Sequence, residues 1–275
     1  MAKILVTGGA GYVGSICATQ ILKAGHEVVI IDDLTTGHSE AVTPGATFIE
    51  MNLGDRAAMK QLLSQHRIDA AFHFAAKAQV GESMVEPAKY FHTNVVEALS
   101  MLECLREAGV EKFVFSSTAA TYGNPAVVPI PEDCPKAPVN PYGESKLAFE
   151  QILRWYANSY GFSVVAFRYF NACGATETQG ERHDPESHLI PLILQAASGR
   201  RESISIFGTD YPTPDGSCLR DYVHILDIAD AHLLALKRMD KPGFRVFNIG
   251  TGKAYSVLEV CRMVEEVTGR KLNIK

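Results

Sequence analysis

Short apolar runs alternate with longer amphipathic segments along the chain as far as Asn171. The runs are rich in Val, Ile and Phe, which suit buried strands, and the segments between them carry apolar residues at helical spacing. The predicted strands are residues 3–7, 27–31, 47–50, 70–74, 112–116 and 164–168. The predicted helices are residues 13–24, 56–65, 87–108 and 141–160. Because crossover helices join parallel strands, this pattern predicts an α/β fold with a doubly wound parallel sheet and a ligand crevice at the carboxyl ends of its strands.

The alternation stops after Asn171, where the loop residues Gly, Pro and Asp cluster in two segments. Such loops are typical of substrate-facing regions. The clusters lie at residues 174–185 and 207–217, the further strands at 203–207 and 244–249, and the further helices near 189–198, 225–239 and 257–268. We therefore predict a first domain over residues 1–171 and a smaller substrate lobe over 172–275, interleaved with the first near 220–245.

Composition narrows the class of protein. The chain has 275 residues, of which 47% are hydrophobic and 21% are charged. Its mean hydropathy of +0.01 excludes an intrinsically disordered, collagen-like or coiled-coil chain. The length suits one large domain or two coupled ones.

Charge and cysteine content argue against several partners and sites. The net charge is −5, and no long run of like charges appears, which disfavours a nucleic-acid or polybasic membrane surface. The six cysteines are scattered and form no CxxC pair, so neither a disulfide framework nor a zinc ribbon is indicated. No apolar stretch approaches membrane-spanning length, and the N-terminus carries no signal-peptide pattern. We expect a cytoplasmic protein that binds no metal.

The first predicted strand runs into a turn with Gly8, Gly11 and Gly14, immediately before a helix. A diphosphate needs this close backbone approach and the free N–H groups of a helix N-terminus. A carboxylate, Asp32, closes the second strand, where it can accept from both ribose hydroxyls and repel a 2′-phosphate. We therefore expect a Rossmann-type domain that binds NAD rather than NADP. A tight turn without a ligand would use the same glycines, and Asp32 or Asp33 could instead be a turn or capping residue.

Tyr142 and Lys146 are predicted to lie one turn apart on one helix face, after Asn140 as the cap and Pro141 in the first turn. A tyrosine with a pKa of about 10 is ionised to only about one part in a thousand at pH 7. An ammonium about 4 Å away, at an effective dielectric of about 20, supplies the roughly 4 kcal/mol that lowers this pKa by about three units. Such a pair alone is often an ordinary surface pair. After a dinucleotide motif, we interpret Tyr142 as a phenolate base and Lys146 as its activator.

Several hydroxyl residues follow the predicted fifth strand at the edge of the crevice. We choose Thr118 as the relay between a substrate hydroxyl and Tyr142. Ser116 and Ser117 could instead satisfy backbone groups at the strand end.

Longer motifs make the chain resemble the extended short-chain dehydrogenase/reductase family. The segments TGGAGYVG, FSSTAATYG and PYGESK are typical of that family. FRYFNACGA (167–175), HLIPLILQAASGR (188–200) and FGTDYPTPDGSCLRDYVHILD (207–227) are similar to the UDP-glucose (UDP-galactose) 4-epimerase group within it. The similarity runs from residue 3 to the last residue. It implies an NAD-dependent isomerase that interconverts UDP-galactose and UDP-glucose through a 4-keto intermediate.

The resemblance also implies residue roles. Tyr142 would take the proton from the sugar O4, Lys146 would hold the nicotinamide ribose, and Thr118 would complete the catalytic set. The implied cofactor-binding residues are Gly8, Gly11, Tyr12, Val13, Gly14, Asp32, Asp33, Asn52, Leu53, Phe74, Ala75, Asn94, Ser116, Tyr142, Lys146 and Tyr169. The implied substrate-binding residues are Thr118, Tyr142, Asn171, Leu189, Phe207 and Arg220. Arg220 suits a diphosphate because its guanidinium is forked and permanently charged, the alternative being an ion pair with Asp221.

Three departures from the family pattern affect these assignments. Asn52 stands where many members have an aspartate that accepts from the adenine amino group. Lys77 lies in a segment that differs from the family form, so its role stays unassigned. The family continues with a segment that grips uridine diphosphate, and we expect the C-terminal lobe to be incomplete in this chain.

Other functions on the same fold are weighed by their chemistry. A sugar-nucleotide dehydratase needs carboxylates for elimination, and Thr118-Ala119-Ala120 offers none. A related 4-epimerase acting on a UDP-N-acetylhexosamine, a UDP-pentose or UDP-glucuronate stays open. A non-catalytic NAD-sensing protein would keep the glycines and lose the chemistry, and the presence of Tyr142, Lys146 and Thr118 argues against it. The resemblance further implies a homodimer joined through residues 87–108 and 141–160, with a UDP-hexose as the substrate.

Overall fold

A seven-stranded parallel sheet forms the centre of the computed structural model, which describes residues 1–275. Its order is β3-β2-β1-β4-β5-β6-β9. The strands of this sheet are β1 (Lys3–Thr7), β2 (Glu27–Asp32), β3 (Thr47–Glu50), β4 (Ala70–His73), β5 (Lys112–Thr118), β6 (Ser163–Tyr169) and β9 (Gly243–Ile249). The chain winds outward from β1 in both directions, so the predicted doubly wound α/β fold is confirmed.

Nine α-helices cover the sheet and build the second lobe. They are α1 (Tyr12–Lys23), α2 (Arg56–Gln65), α3 (Val80–Val85), α4 (Pro87–Phe91), α5 (Ala98–Glu107), α6 (Pro141–Tyr160), α7 (Leu189–Ala197), α8 (Ile225–Leu236) and α9 (Val257–Thr268). The single helix predicted over residues 87–108 is wrong in detail, because a π-helical segment, His92–Glu97, separates α4 from α5. None of the nine has the length and apolar character that a membrane span requires.

A second sheet of three strands lies beyond the main one, in the order β10-β8-β7. Its strands are β7 (Asn171–Cys173), β8 (Leu219–His224) and β10 (Ala254–Ser256). The sequence pattern missed these short strands. The predicted strand at 203–207 is wrong, because only Ile204 forms an isolated bridge there, with Ile274.

The core has three parts, two large hydrophobic clusters and a small one. One large cluster contains Phe113 and Phe149, and the other contains Ile16 and Ile228. The small cluster joins Ile193 of α7 to Cys261 of α9. Because β9 pairs with β6 and α8 packs on α1, the chain returns to the main sheet after β8. The division into two domains at residue 171 stays a prediction.

Candidate active site

A cleft of about 1300 Å³ opens where the parallel strands of the main sheet end. Loops that follow β1, β2, β4, β5 and β6 form one wall, and residues of the second lobe form the other. Most of the residues that the sequence indicated for binding line this cleft. They are Gly8, Gly11, Tyr12, Val13, Gly14, Asp32, Asp33, Leu53, Phe74, Ala75, Ser116, Thr118, Tyr142, Lys146, Tyr169, Asn171, Leu189, Phe207 and Arg220.

The glycine-rich turn brings the backbone of β1 against the start of α1. Gly8 has a φ of +71°, and a Cβ there would lie 2.5 Å from the backbone nitrogen of Ala75. A Cβ on Gly14 would lie 2.1 Å from the carbonyl oxygen of Gly8. No side chain caps α1, so the helix presents its first N–H groups and the positive end of its dipole to the cleft. This arrangement suits a diphosphate.

Asp32 lies at the end of β2 with its carboxylate held by backbone donors. Its two oxygens accept from the N–H groups of Ala10 at 3.0 Å and Leu34 at 2.9 Å. Burial raises the pKa of this carboxyl, and the two hydrogen bonds act in the opposite direction. Each oxygen keeps a lone pair that can accept from a ribose hydroxyl. The carboxylate of neighbouring Asp33 accepts from the N–H and the hydroxyl of Thr35, as a turn residue would.

Two of the predicted cofactor contacts, Asn52 and Asn94, do not line the cleft. The Asn52 amide oxygen accepts from the N–H of Gly54 at 2.8 Å. Asn94 is buried and binds both backbone groups of Lys77. It therefore fixes the segment after β4, and its contact with the cofactor stays a prediction.

Lys77, which the sequence left without a role, lies in the wall of the cleft. Its ammonium donates to the hydroxyl of Thr35 at 2.9 Å, beside the loop after β2. The lysine thus brings a positive charge to the end of the cleft where Asp32 and Asp33 lie. The family pattern did not reveal it because the local sequence departs from that pattern.

Tyr142 stands in the first turn of α6. Asn140 caps this helix by accepting from the N–H of Gly143 at 2.8 Å, and Pro141 occupies the first position, as predicted. The ring of Tyr90 packs edge-on against that of Tyr142, with centroids 6.5 Å apart. Burial raises the pKa of Tyr142, and a hydrogen bond with the hydroxyl of Thr118 partly offsets this.

Lys146 is buried one turn further along α6. Its ammonium donates to the carbonyl oxygen of Ser116 at 2.8 Å and lies 4.9 Å from the ring centroid of Phe115. Burial lowers its pKa to about 7, against the opposing charge of Glu150. Lys146 is thus only partly charged near neutral pH. In the ligand-free protein burial raises the pKa of Tyr142, and the expectation that Lys146 lowers it in the loaded site stays a prediction.

Thr118 ends β5 and links the strand to Tyr142. Its hydroxyl accepts from the N–H of Ala120 at 3.1 Å, and its hydrogen bond with Tyr142 lowers the pKa of the phenol. The short helical turn that follows, Ala119–Tyr122, begins at this cap. Thr118 therefore lies where it can stabilise the phenolate of Tyr142, and its role as a relay stays a prediction.

Tyr169 has a buried partner that the sequence did not indicate. His232 of α8 lies with its Nε2 2.8 Å from the hydroxyl of Tyr169, and its Nδ1 lies 2.8 Å from the carbonyl oxygen of Ile228. The carbonyl can only accept, so Nδ1 carries the proton and Nε2 accepts from Tyr169. Burial lowers the pKa of His232 to about 4, which keeps it neutral.

A buried polar network includes Glu150, which lies one turn after Lys146 on α6, and the sequence did not indicate it. The Glu150–Arg168 ion pair connects α6 to β6, with 3% and 2% of the side chains exposed. Arg168 also donates to the hydroxyl of Tyr122, which in turn donates to Asn248 at 2.7 Å. A charged residue inside the apolar strand sequence FRYF was the one signal that could have indicated it.

Asn171, at the start of β7, and three later residues bring further predicted substrate contacts to the cleft. The amide of Asn171 donates to the carbonyl oxygen of Asp221 at 2.8 Å, and Leu189 is the first residue of α7. Phe207 is 86% exposed at the rim. Arg220 lines the cleft without a carboxylate partner, because the Asp221 carboxylate accepts from the N–H groups of Thr251 and Gly252 instead. The ion pair considered for Arg220 and Asp221 does not form.

Comparison with known proteins agrees with the fold and the cleft. The family model described as "NAD dependent epimerase/dehydratase family" matches residues 4–250. The UDP-glucose 4-epimerase of Corynebacterium glutamicum is 49% identical over 270 residues, covering 98% of this chain and 82% of that protein. The enzyme of the same name from Lacticaseibacillus casei is 49% identical over 272 residues, with the same two shares covered.

The fold of this chain is also similar to that of a solved structure. The crystal structure of UDP-glucose 4-epimerase from Brucella ovis in complex with NAD superposes with a TM-score of 0.97 at 42% identity. The match covers all of this chain and 85% of that one. These findings confirm the resemblance to the epimerases, the fold class and the choice of NAD as the cofactor. This chain belongs to the NAD dependent epimerase/dehydratase family.

Proposed function

We propose that this protein is an NAD-dependent UDP-glucose 4-epimerase that interconverts UDP-galactose and UDP-glucose through a 4-keto intermediate. One observation carries the proposal: Tyr142, Thr118 and Lys146 line the same cleft as the glycine-rich turn and Asp32. A phenol, a hydroxyl relay and a lysine beside a dinucleotide site suit the reversible oxidation of a secondary alcohol. The level of identity to named epimerases supports the same conclusion.

Bound NAD would supply a hydride acceptor for the sugar C4 and, after oxidation of that carbon, the hydride donor for the opposite face of the 4-keto sugar. The residues present fit this cofactor. The uncapped start of α1 would hold the diphosphate, and the glycine turn permits the close backbone packing that forms this end of the cleft. Asp32 would accept from the adenosine ribose, and Lys77 brings a positive charge close by.

Tyr142 removes the proton from the sugar O4 in this proposal, with Thr118 as the relay. Because burial raises the pKa of Tyr142 in the ligand-free protein, the base needs a nearby positive charge to ionise. Lys146 supplies part of this charge, and its pKa of about 7 lets it gain a full charge when an anionic phenolate forms beside it. Tyr169, fixed by His232, would close the nicotinamide end of the cleft.

The sugar nucleotide would lie against the second lobe. Arg220 has no carboxylate partner and would bind the diphosphate. Asn171 would present its amide oxygen, since its nitrogen is bound to the carbonyl of Asp221. Leu189 and Phe207 would pack on the uracil side of the substrate.

We further propose that the protein is a cytoplasmic homodimer. All six cysteines are free, as a reducing compartment favours. Exposed apolar side chains occur on the segments proposed for the dimer contact, among them Val96 at 57% and Trp155 at 68% exposure. Such residues on helices suit a partner helix pair.

The activity is tested with purified protein and UDP-galactose, with no NAD added. We expect UDP-glucose to form without added NAD, because we expect the cofactor to remain bound during purification. Anion-exchange chromatography measures the UDP-glucose that is formed. The same assay with a UDP-N-acetylhexosamine, a UDP-pentose and UDP-glucuronate ranks the substrates. No turnover of any UDP-sugar would contradict an epimerase, while faster turnover of another sugar would replace UDP-hexose as the preferred substrate.

A further inference from the structure

Two histidines and two glutamates converge in the loop that precedes α7. Glu181, His183, Glu186 and His188 each direct one nitrogen or oxygen atom to a common point, and these atoms all lie within 4.8 Å of one another. The side chains of the two glutamates are 11% and 8% exposed. The proposed epimerase reaction assigns no role to any of the four, although Glu181, His183 and His188 line the cleft.

The distances are close to those that a small metal ion requires. Tetrahedral Zn²⁺ with bonds of about 2.0–2.1 Å places neighbouring ligand atoms about 3.3 Å apart. Nδ1 of His183 lies 3.3 Å from Oε1 of Glu181, and Nδ1 of His188 lies 2.9 Å from the same oxygen. Glu186 approaches His188 to 2.8 Å. The two shorter distances, from His188 to Glu181 and to Glu186, would have to increase by only about half an ångström around a bound ion.

One nitrogen atom of the cluster lacks a hydrogen-bond partner. Nδ1 of His183 is buried and makes no hydrogen bond, although it lies close to Glu181. Buried polar atoms without a partner are rare in folded proteins. Imidazole nitrogens and carboxylate oxygens together are a donor set that suits Zn²⁺ and neighbouring divalent transition metals rather than Ca²⁺ or Mg²⁺.

We propose that Glu181, His183, Glu186 and His188 form a binding site for one divalent transition-metal ion, with Zn²⁺ as the best fit. The metal replaces the expectation of a metal-free protein. Its place in the fold indicates a structural function, because the loop from Gly174 to His188 lies across the cofactor side of the cleft.

Contacts from this loop already reach the dinucleotide turn. The hydroxyl of Tyr12 donates to the carbonyl oxygen of Gly174 at 2.6 Å, and Gln179 binds both Thr19 and the carbonyl oxygen of Ala41. A metal at the far end of the loop would join it to α7 and close it over the cleft.

The test uses the purified, cofactor-loaded protein. Metal-free protein is dialysed against Co²⁺ or Zn²⁺ and then against buffer without metal. Its metal content is measured by inductively coupled plasma mass spectrometry, and the absorption spectrum of the Co²⁺ form is recorded. We expect about one metal per chain and visible bands typical of four-coordinate Co²⁺, with a higher melting temperature for the loaded form. His183→Ala with His188→Ala should lose the metal and the bands. Glu186→Gln, a smaller change, should weaken binding at least about tenfold.

Matched controls separate this site from others. His92→Ala removes a histidine that also lies near a glutamate, Glu97 at 3.6 Å, but has no second histidine beside it, so it should keep the metal. Metal held by the NAD diphosphate would persist in the double-histidine variant, and metal held by a cysteine would add a thiolate band in the near ultraviolet. Either result, or less than about one tenth of a metal per chain, would overturn the proposal. Loss of the metal in the double variant alone supports it, whether or not the epimerase reaction is confirmed.

Discussion

Two opposing effects act on the pKa of the Tyr142 hydroxyl. Burial raises its pKa, whereas the Thr118 hydroxyl stabilises the phenolate. Lys146 lies one turn further along α6, and burial lowers its pKa to about 7, which favours its neutral form. The unliganded site therefore keeps the phenol protonated, and the proposed role of Tyr142 as a base requires positive charge from the loaded cleft.

Tyr142→Phe removes the proposed base and leaves the ring. We expect NAD to remain bound while turnover of UDP-galactose falls by about 10²–10⁴-fold, the usual contribution of a general base. The measurement is the rate of UDP-glucose formation together with the NAD released on denaturation. Tyr160→Phe, at an exposed site on the same helix, is the control and should keep full activity. Activity that survives in Tyr142→Phe would refute the phenolate role.

His73 predicts how acid affects stability. It is buried in β4, its Nδ1 lies 2.7 Å from the hydroxyl of Thr7, and its pKa is lowered from 6.5 to about 3 by burial. Between these two values the unfolded chain binds a proton at His73 and the folded protein does not. Acidification from pH 6.5 toward pH 3 therefore favours unfolding, and the stability is regained as the pH rises.

His73→Asn removes this proton uptake. Urea unfolding at pH 7 and pH 4.5 should show a difference in unfolding free energy that is smaller in the variant by up to about 2 kcal/mol. His92→Asn, at an exposed site, is the control for loss of one histidine and should behave as the parent protein. An unchanged pH difference in His73→Asn would mean that His73 is protonated in the folded state.

At the scale of elements, the first βα turn depends on backbone proximity. A Cβ at Gly14 would collide with the carbonyl oxygen of Gly8 and separate β1 from α1. We expect Gly14→Ala to lose most of its bound NAD, measured by chromatography after denaturation of the purified protein. Gly81→Ala, where a Cβ meets nothing within 4 Å, should retain it. Equal NAD content in the two variants would show that the turn tolerates a wider spacing.

The elements also show where local patterns mislead. Residues 87–108 have continuous helical periodicity, yet the helix contains the π-helical segment His92–Glu97. Asn94 in that segment binds the backbone of Lys77 and the hydroxyl of Ser145. These contacts come from distant parts of the chain, so no window of sequence around Asn94 contains them.

At the scale of the whole molecule, the proposed dimer is open to direct test. Trp155→Glu places a charge on the exposed face of α6, and we expect it to shift the protein from dimer to monomer in size-exclusion chromatography with light scattering. Val267→Glu, on the exposed side of α9, is the control and should leave the mass unchanged. A dimer that persists in Trp155→Glu would exclude this face as its interface.

Much of the fold could be predicted from sequence, because parallel strands and their crossover helices each leave a local periodic pattern. The strands β7, β8 and β10 could not, although β8 is longer than β3 or β4, because all three lie after Asn171, where the alternation of strands and helices gives way to loop segments. Within the site, the Gly8 turn, Asp32 and the Tyr142–Lys146 spacing were visible along the chain. Their roles stay predictions until the variants above are measured.

The main sheet, the dinucleotide turn and the helix that carries Tyr142 and Lys146 follow from local sequence, because each depends on residues close together in the chain. Which charged groups are buried, and which partners they have, depends on contacts between distant parts of the chain. The tertiary structure placed His232 against Tyr169, Arg168 against Glu150, and His183 among two glutamates and a second histidine. The same burial raises the pKa of Tyr142 and lowers that of Lys146, because the loss of water disfavours the charged form of each.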